Sequence, residues 1–272
     1  MCIVAVAWQL FDEMPLVLLS NRDEFLQRPT EPLHQWSDQP IYAGRDKKSG
    51  GTWLGVHREQ QASFYEQNGR WAAVLNYRDG VQASMDERSR GGLVTDFLSS
   101  GISPMAFARQ ISLQDYAGFN LLIGDATQAV VVNNRGHAPT PLYSGLHVIS
   151  NGQPDDGWFK TEKLRGRLRQ EVLPLIAEDD TFAYWQEAAF DVLSDSRQAP
   201  ADKLPDTGMT NEIEQVLSAI YIEPVAFGEV ASDSPTYGTC TQSILTLRKD
   251  DNKISRIAAD IVSREINTHH LA

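Results

Sequence analysis

Residues 2–24 run CIVAVAWQLFDEMPLVLLSNRDE, two short apolar runs (Ile3 to Trp8 and Pro15 to Leu19) parted by the polar break Phe11-Asp12-Glu13. Runs of this length with polar bounds predict a β-hairpin whose strands are buried on both faces. A turn near residues 10–13 would set Cys2, at the start of the first strand, opposite Asn21, at the end of the second. Opposed side chains in an antiparallel pair lie about 4.5–5.5 Å apart at Cβ. The hairpin would thereby bring the cluster Asn21-Arg22-Asp23-Glu24 to the Cys2 thiol. Arg22 would lower the thiol pKa or hold a substrate carboxylate, and Asp23 would orient an α-ammonium. The plain alternatives are a solvated turn for the cluster and an inert packing thiol for Cys2.

Only Met1 precedes Cys2, and a small side chain at the second position permits its removal. The α-amine so released titrates at about 7.7–8.0, close enough to neutrality to act as general base for the thiol of the same residue. Nucleophile and base would then share one residue. Attack on a carbonyl creates an oxyanion that needs preorganised donors. Asn76 closes the apolar run RWAAVLN and Asn151 closes HVISN, so either could aim an amide at the site or simply cap its strand. Arg45-Asp46 and Tyr77-Arg78 read as pocket residues for an anionic substrate, or equally as surface ion pairs.

Cys2, Asn21-Arg22-Asp23-Glu24-Phe25, Arg28-Pro29-Thr30 and Gly44-Arg45-Asp46 resemble the NRDE family, the relatives of transport and Golgi organisation protein 2. Gly50-Gly51-Thr52-Trp53-Leu54-Gly55, Asn76-Tyr77-Arg78, Ser89-Arg90-Gly91, Phe119-Asn120-Leu121-Leu122, Ser150-Asn151-Gly152 and Leu204-Pro205-Asp206-Thr207 continue the resemblance in family order. It implies an α+β fold of the N-terminal nucleophile (Ntn) hydrolase type, a four-layer αββα sandwich with two stacked antiparallel sheets. On this resemblance Cys2, Arg22, Asp23, Asn76 and Asn151 are the expected catalytic group. Asn21, Arg45, Asp46, Trp53, Tyr77, Arg78 and Cys240 are the expected substrate contacts. The cysteine amidases of the same fold carry an asparagine in a Thr-Asn-Ser-Pro context similar to Ile149-Ser150-Asn151-Gly152. The family's links to lipid metabolism and haem movement imply a second reading, a haem or acyl-CoA carrier. One departure stands out: Gly238-Thr239-Cys240 has a thiol where the family pattern places an arginine.

The 272-residue chain has a formal net charge of −12, which argues against nucleic acid and anionic membrane surfaces as partners. The basic stretch Lys160 to Arg169 has helical spacing and reads as a solvated helix face. Two cysteines make no disulfide framework, and no run is long enough to span a bilayer, so a cytoplasmic protein with a small-molecule, lipid or haem ligand is expected. The six histidines show no zinc spacing, and neither a haem-attachment motif nor a phosphate-binding glycine loop occurs, so no metal and no resident cofactor is expected.

One domain over 1–272 is the economical organisation, with strands first, then helices, then strands. Strands are expected at 52–57, 70–76, 119–124, 129–133, 147–150, 237–247 and 253–261, and helices at 91–98, 103–110, 157–173, 180–194 and 210–219. Residues 25–51 read as a long loop, and Arg58 to Asn68 as an insertion.

Overall fold

The computed structural model describes residues 2–59, 69–81, 84–178, 182–226, 235–250 and 253–266. Met1, most of the expected insertion (60–68), residues 251–252 and the His269-His270 tail lie outside them.

Strand β1 (Cys2–Trp8) and strand β2 (Leu16–Phe25) form the expected hairpin and occupy the middle of one antiparallel sheet. Its order is β10 (Gly145–Ile149), β1, β2, β12 (Thr236–Asp250), β11 (Val225–Ala226), with β13 (Lys253–Glu265) also paired to β12. The second sheet is a meander in chain order: β3 (Thr30–Gln35), β4 (Ile41–Asp46), β5 (Leu54–His57), β6 (Trp71–Asn76), β7 (Phe119–Gly124), β8 (Ala129–Asn133) and β9 (Thr140–Pro141). Residues 25–51 therefore contain a hairpin rather than a long loop. Pro32 and half-exposed polar residues hide β3 from a hydrophobicity pattern, as suits an edge strand.

Alternation of side chains sorts the core into three layers. Val4, Val6, Leu16 and Leu18 of the first sheet meet Leu54, Val56, Trp71 and Leu122 of the second. On the outer face of the first sheet, Ile3, Ala5, Val17 and Leu19 pack on Leu164, Leu168, Trp185 and Phe190. These belong to α3 (Phe159–Arg167), its π-helical continuation Leu168–Val172, and α5 (Phe182–Leu193); α4 (Leu173–Ala177) extends the same rod. On the outer face of the second sheet, Ile41, Ala72, Leu121 and Val130 pack on α1 (Gly91–Ser99) and α2 (Pro104–Gln110). The order helix, sheet, sheet, helix is the expected four-layer αββα sandwich. Helix α6 (Asn211–Leu217) adds Leu217 to a small satellite cluster with Ile222 and Tyr237. No helix among the described residues is long and apolar enough to cross a membrane.

The hairpin register differs from expectation by one residue. Cys2 pairs with Arg22, and Ile3 with Asn21. The connection spans residues 9–15, closed by Gln9 N–H donating to Pro15 O at 2.8 Å, and Gln9 adopts a φ of 49°. A one-residue slip exchanges the two faces of a strand. Here it exchanges Asn21 and Arg22.

Candidate active site

A cavity of about 570 Å³ opens at the end of the sandwich where β1 begins and β2, β4 and β6 end. Cys2, Arg22, Asp23, Asp46, Trp53 and Asn76 line it, six of the twelve expected site residues. Cys2 is 8 % exposed, at the rim of the inter-sheet core. Burial pushes its thiol pKa up, with Asp23 adding to the rise and Arg22 opposing it. The resting thiol is therefore protonated at neutral pH, and nucleophilic attack requires a base.

Directly across the pair from Cys2, the Arg22 guanidinium lies 4.4 Å from the centre of the Trp53 ring and 3.8 Å from Asp46. Asp46 is itself fixed by Arg28 and by the N–H groups of Lys48 and Ser49, at 2.9 and 3.0 Å. Asp23 is almost fully buried and accepts from the Thr239 hydroxyl at 2.7 Å. Burial raises its pKa, while Lys160, Thr239 and Arg22 pull it down. The Asn76 side chain lines the cavity and makes no protein hydrogen bond among the described residues, so its amide is available to a ligand.

The other six expected contacts lie elsewhere. Asn21 faces the helical layer, where its amide donates to Leu193 O and Ile220 O, both at 2.8 Å, and thus ties sheet to helices. Arg45 forks onto Asp38 at 2.9 and 2.8 Å and stacks on Trp36, an edge-strand ion pair. Arg78 is sunk against Glu214, 2.9 Å away, with both side chains 1 % exposed. Tyr77 sits among Gln153, Asp156, Asp79 and Arg135, and burial leads the rise in its pKa. Cys240 is the extra residue of a bulge in β12, between Thr239 opposite Asp23 and Thr241 opposite Arg22. Its thiol lies 3.5 Å from Glu24 O, and burial pushes it up to about 11. It lines no part of the cavity, and neither cysteine is in a disulfide. Asn151 is fully buried; its amide donates to Asn76 O at 2.9 Å, and its carbonyl oxygen accepts from Lys160 Nζ at 3.1 Å. It holds the end of β6 rather than offering a donor to the cavity.

Two cations coupled to the site, one behind its wall and one lining it, lay outside the sequence expectations. Lys160, in the stretch read as a solvated face, is 2 % exposed, and burial lowers it to about 8. It precedes Leu164, Leu168 and Val172 at intervals of four, all of them in the core layer. A lysine heading an apolar helical stripe was the signal. Arg90, in the Ser89-Arg90-Gly91 motif, lines the cavity at the start of α1. Among the described residues no group of three or more His, Cys, Asp or Glu is placed to hold a metal.

The backbone of Gly51 lies against that of Gly91, so a Cβ on Gly51 would stand 2.6 Å from the Gly91 carbonyl carbon. Neither backbone can yield as a flexible side chain would. Gly51→Ala should cost about 1–3 kcal/mol in chemical denaturation and push the start of α1 off the cavity wall. A midpoint equal to wild type would show that the two loops separate freely.

The model of the family Transport and Golgi organisation 2 matches residues 1–258. The chain belongs to that family. Its similarity to the Transport and Golgi organization protein 2 homolog of Homo sapiens is 29 % identity over 254 residues, covering 86 % of this chain and 83 % of the human one. The Mus musculus homolog is 28 % identical over 244 residues, 85 % and 81 % of the two chains. Among solved structures, the Caenorhabditis elegans N-acylethanolamine-hydrolyzing acid amidase ortholog aligns over 71 % of this chain and 86 % of its own, at 12 % identity and a TM-score of 0.41. That likeness is too distant to assign any residue. Within the Transport and Golgi organisation 2 fold, the family motifs Asn21-Arg22-Asp23-Glu24 and Gly44-Arg45-Asp46 divide their labour. Arg22, Asp23 and Asp46 face the cavity, whereas Asn21 and Arg45 brace the strands that carry them.

Proposed function

We propose that this protein is an Ntn-type cysteine hydrolase that cleaves a non-peptide carbon–nitrogen amide bond. The observation that carries the reading is that Cys2, paired across from Arg22, lines the same cavity as Asn76. The reading requires removal of Met1, because a peptide nitrogen on Cys2 cannot accept a proton. The α-amine takes the thiol proton, and the thiolate attacks the carbonyl carbon. Asn76 donates to the oxyanion, a donor of a kind worth about 2.7–4 kcal/mol. Collapse breaks the C–N bond, and the amine leaves with the proton from the α-ammonium. Water, deprotonated by the α-amine, then attacks the thioester, releasing the acid and restoring the thiol. Asp23 orients the ammonium, and Arg22 fixes the strand end through Trp53 and Asp46.

A lipid or haem carrier would need a largely apolar wall. The lining mixes Trp53, Val74, Met85 and Ala117 with nine charged residues, a mixture that favours the hydrolase reading.

Mass spectrometry with a thiol-reactive acyl probe tests the proposal in wild type, in Cys2→Ser and in a form retaining Met1. Rapid acylation at Cys2 is expected in the processed wild type alone. Equal labelling of all three forms would remove the enzyme reading.

A further inference from the structure

The charged groups of the cavity are not evenly matched. Asp46 is engaged by Arg22, Arg28 and two backbone N–H groups. Glu24 lies 3.9 Å from Arg28 and accepts from the Phe25 N–H, and Glu87 accepts from the Ser84 N–H at 2.7 Å. Arg88 is paired with Asp96 at 3.2 Å. Arg90 differs. Among the described residues, no carboxylate lies within ion-pair distance of it, and its guanidinium donates to the Gly118 carbonyl at 3.2 Å. Lys48, exposed on the same wall, likewise has no acid in range among those residues.

The position of Arg90 works against the helix that it starts. It is the N-cap residue of α1, makes no side-chain capping bond, and no acidic residue follows in the first turn. The N-terminal end of a helix carries partial positive charge and favours anions. A guanidinium there is of the wrong sign for stability, and breaks of a local rule concentrate where function needs them. Burial lowers the Arg90 pKa, and the Cys2 thiol and Glu24 act in the opposite direction, which sets Arg90 electrostatically beside the nucleophile.

We infer that Arg90 is the receptor for an anionic group of the substrate, with Lys48 assisting at the mouth, so that the amides cleaved carry a carboxylate or phosphate near the scissile bond. This rests on the hydrolase reading above and names its substrate class. Guanidinium matches both oxyanions by paired N–H donation.

The test compares alkylation of Cys2 by iodoacetate and by iodoacetamide in the processed protein, read by mass spectrometry of the N-terminal peptide. The two reagents differ chiefly in charge. Any change in thiolate fraction affects both alike and cancels in the ratio of their rates. Arg90→Gln should lower the iodoacetate-to-iodoacetamide ratio about tenfold, the scale of one hydrogen bond to a charged group. Arg90→Lys should keep part of the preference. Arg109→Gln, an equal loss of charge on the exposed side of α2, should keep all of it. In unmodified protein, acetate or inorganic phosphate should slow the iodoacetamide reaction beyond a sodium chloride control of equal ionic strength; whichever protects identifies the anion. An unchanged ratio in folded Arg90→Gln overturns the inference. If that variant does not fold, absence of protection by both anions does so. Failure of both reagents to reach Cys2 would instead defeat the hydrolase reading.

Discussion

Glu214→Ala should lower the unfolding free energy by about 3–5 kcal/mol, the loss typical of removing one partner of a buried ion pair. Glu214 and Arg78 are each 1 % exposed and 2.9 Å apart, and Glu214 also accepts from the Thr207 hydroxyl. Alanine would deprive a buried guanidinium of its carboxylate. Burial already depresses the Arg78 pKa, with Glu214 the main opposing influence. The damage should reach the active-site end as well, because the Arg78 N–H donates to Asn151 O at 2.6 Å. Urea denaturation gives the magnitude. The double change Arg78→Met with Glu214→Leu should recover most of the loss, since a buried pair is often replaceable by apolar residues of similar volume. A double variant as unstable as Glu214→Ala would assign the loss to packing around α6 instead of to charge.

Lys160→Met should do the opposite to stability while impairing the site. Lys160 is lowered from its ordinary 10.5 to about 8, so its charge opposes folding by on the order of 3 kcal/mol at neutral pH. Methionine removes that cost and loses one hydrogen bond, to Asn151 Oδ1, worth about 1 kcal/mol. The net expectation is about 2 kcal/mol of added stability at pH 7. The sign follows from proton counting. Between about 8 and 10.5 the unfolded lysine holds a proton that the folded one has released, so wild type gains stability as pH rises through that window. The advantage of the methionine variant should therefore be complete below pH 8 and vanish above pH 10.5. Function should move the other way. Lys160 holds Asn151, and Asn151 holds the backbone carbonyl of Asn76 at the cavity wall. Loosening that chain should slow acyl-probe labelling of Cys2 on the order of 10–100-fold, as a misplacement of about 1 Å can. Denaturant midpoints at pH 7 and pH 10, set beside labelling rates, read both effects. A variant that labels at the wild-type rate would mean that Asn76 keeps its position without Lys160.

Much of this molecule was legible in residue pattern. The hairpin at β7 and β8 occupies the expected residues, because Phe119 to Gly124 and Ala129 to Asn133 are apolar runs split by Asp125-Ala126-Thr127-Gln128. Helices α1 and α2 begin within a residue of expectation, α2 with Ser103 as its cap and Pro104 at its first position. Edge strand β3 was not legible, since a strand covered on one side by solvent needs no apolar run. Of the site, the expectation named Cys2, Arg22, Asp23, Asp46, Trp53 and Asn76, which the cavity gathers. It could not separate Arg45, which turns to Asp38, from Asp46, its neighbour in the same strand.

Local sequence determined that β1 and β2 form a buried hairpin, that a thiol begins it, and that a charged cluster ends it. Tertiary structure alone decided which member of the cluster meets the thiol. A strand apolar on both faces contains no alternation to mark its register, so the seven-residue connection and the two packing layers chose Arg22 for the cavity and Asn21 for the helices. The same holds for Lys160 and Arg90. Charge and helical spacing were written in the chain, but their electrostatic coupling to Cys2 depends on α3 and α1 packing on the two sheets, and only the packed layers bring that about.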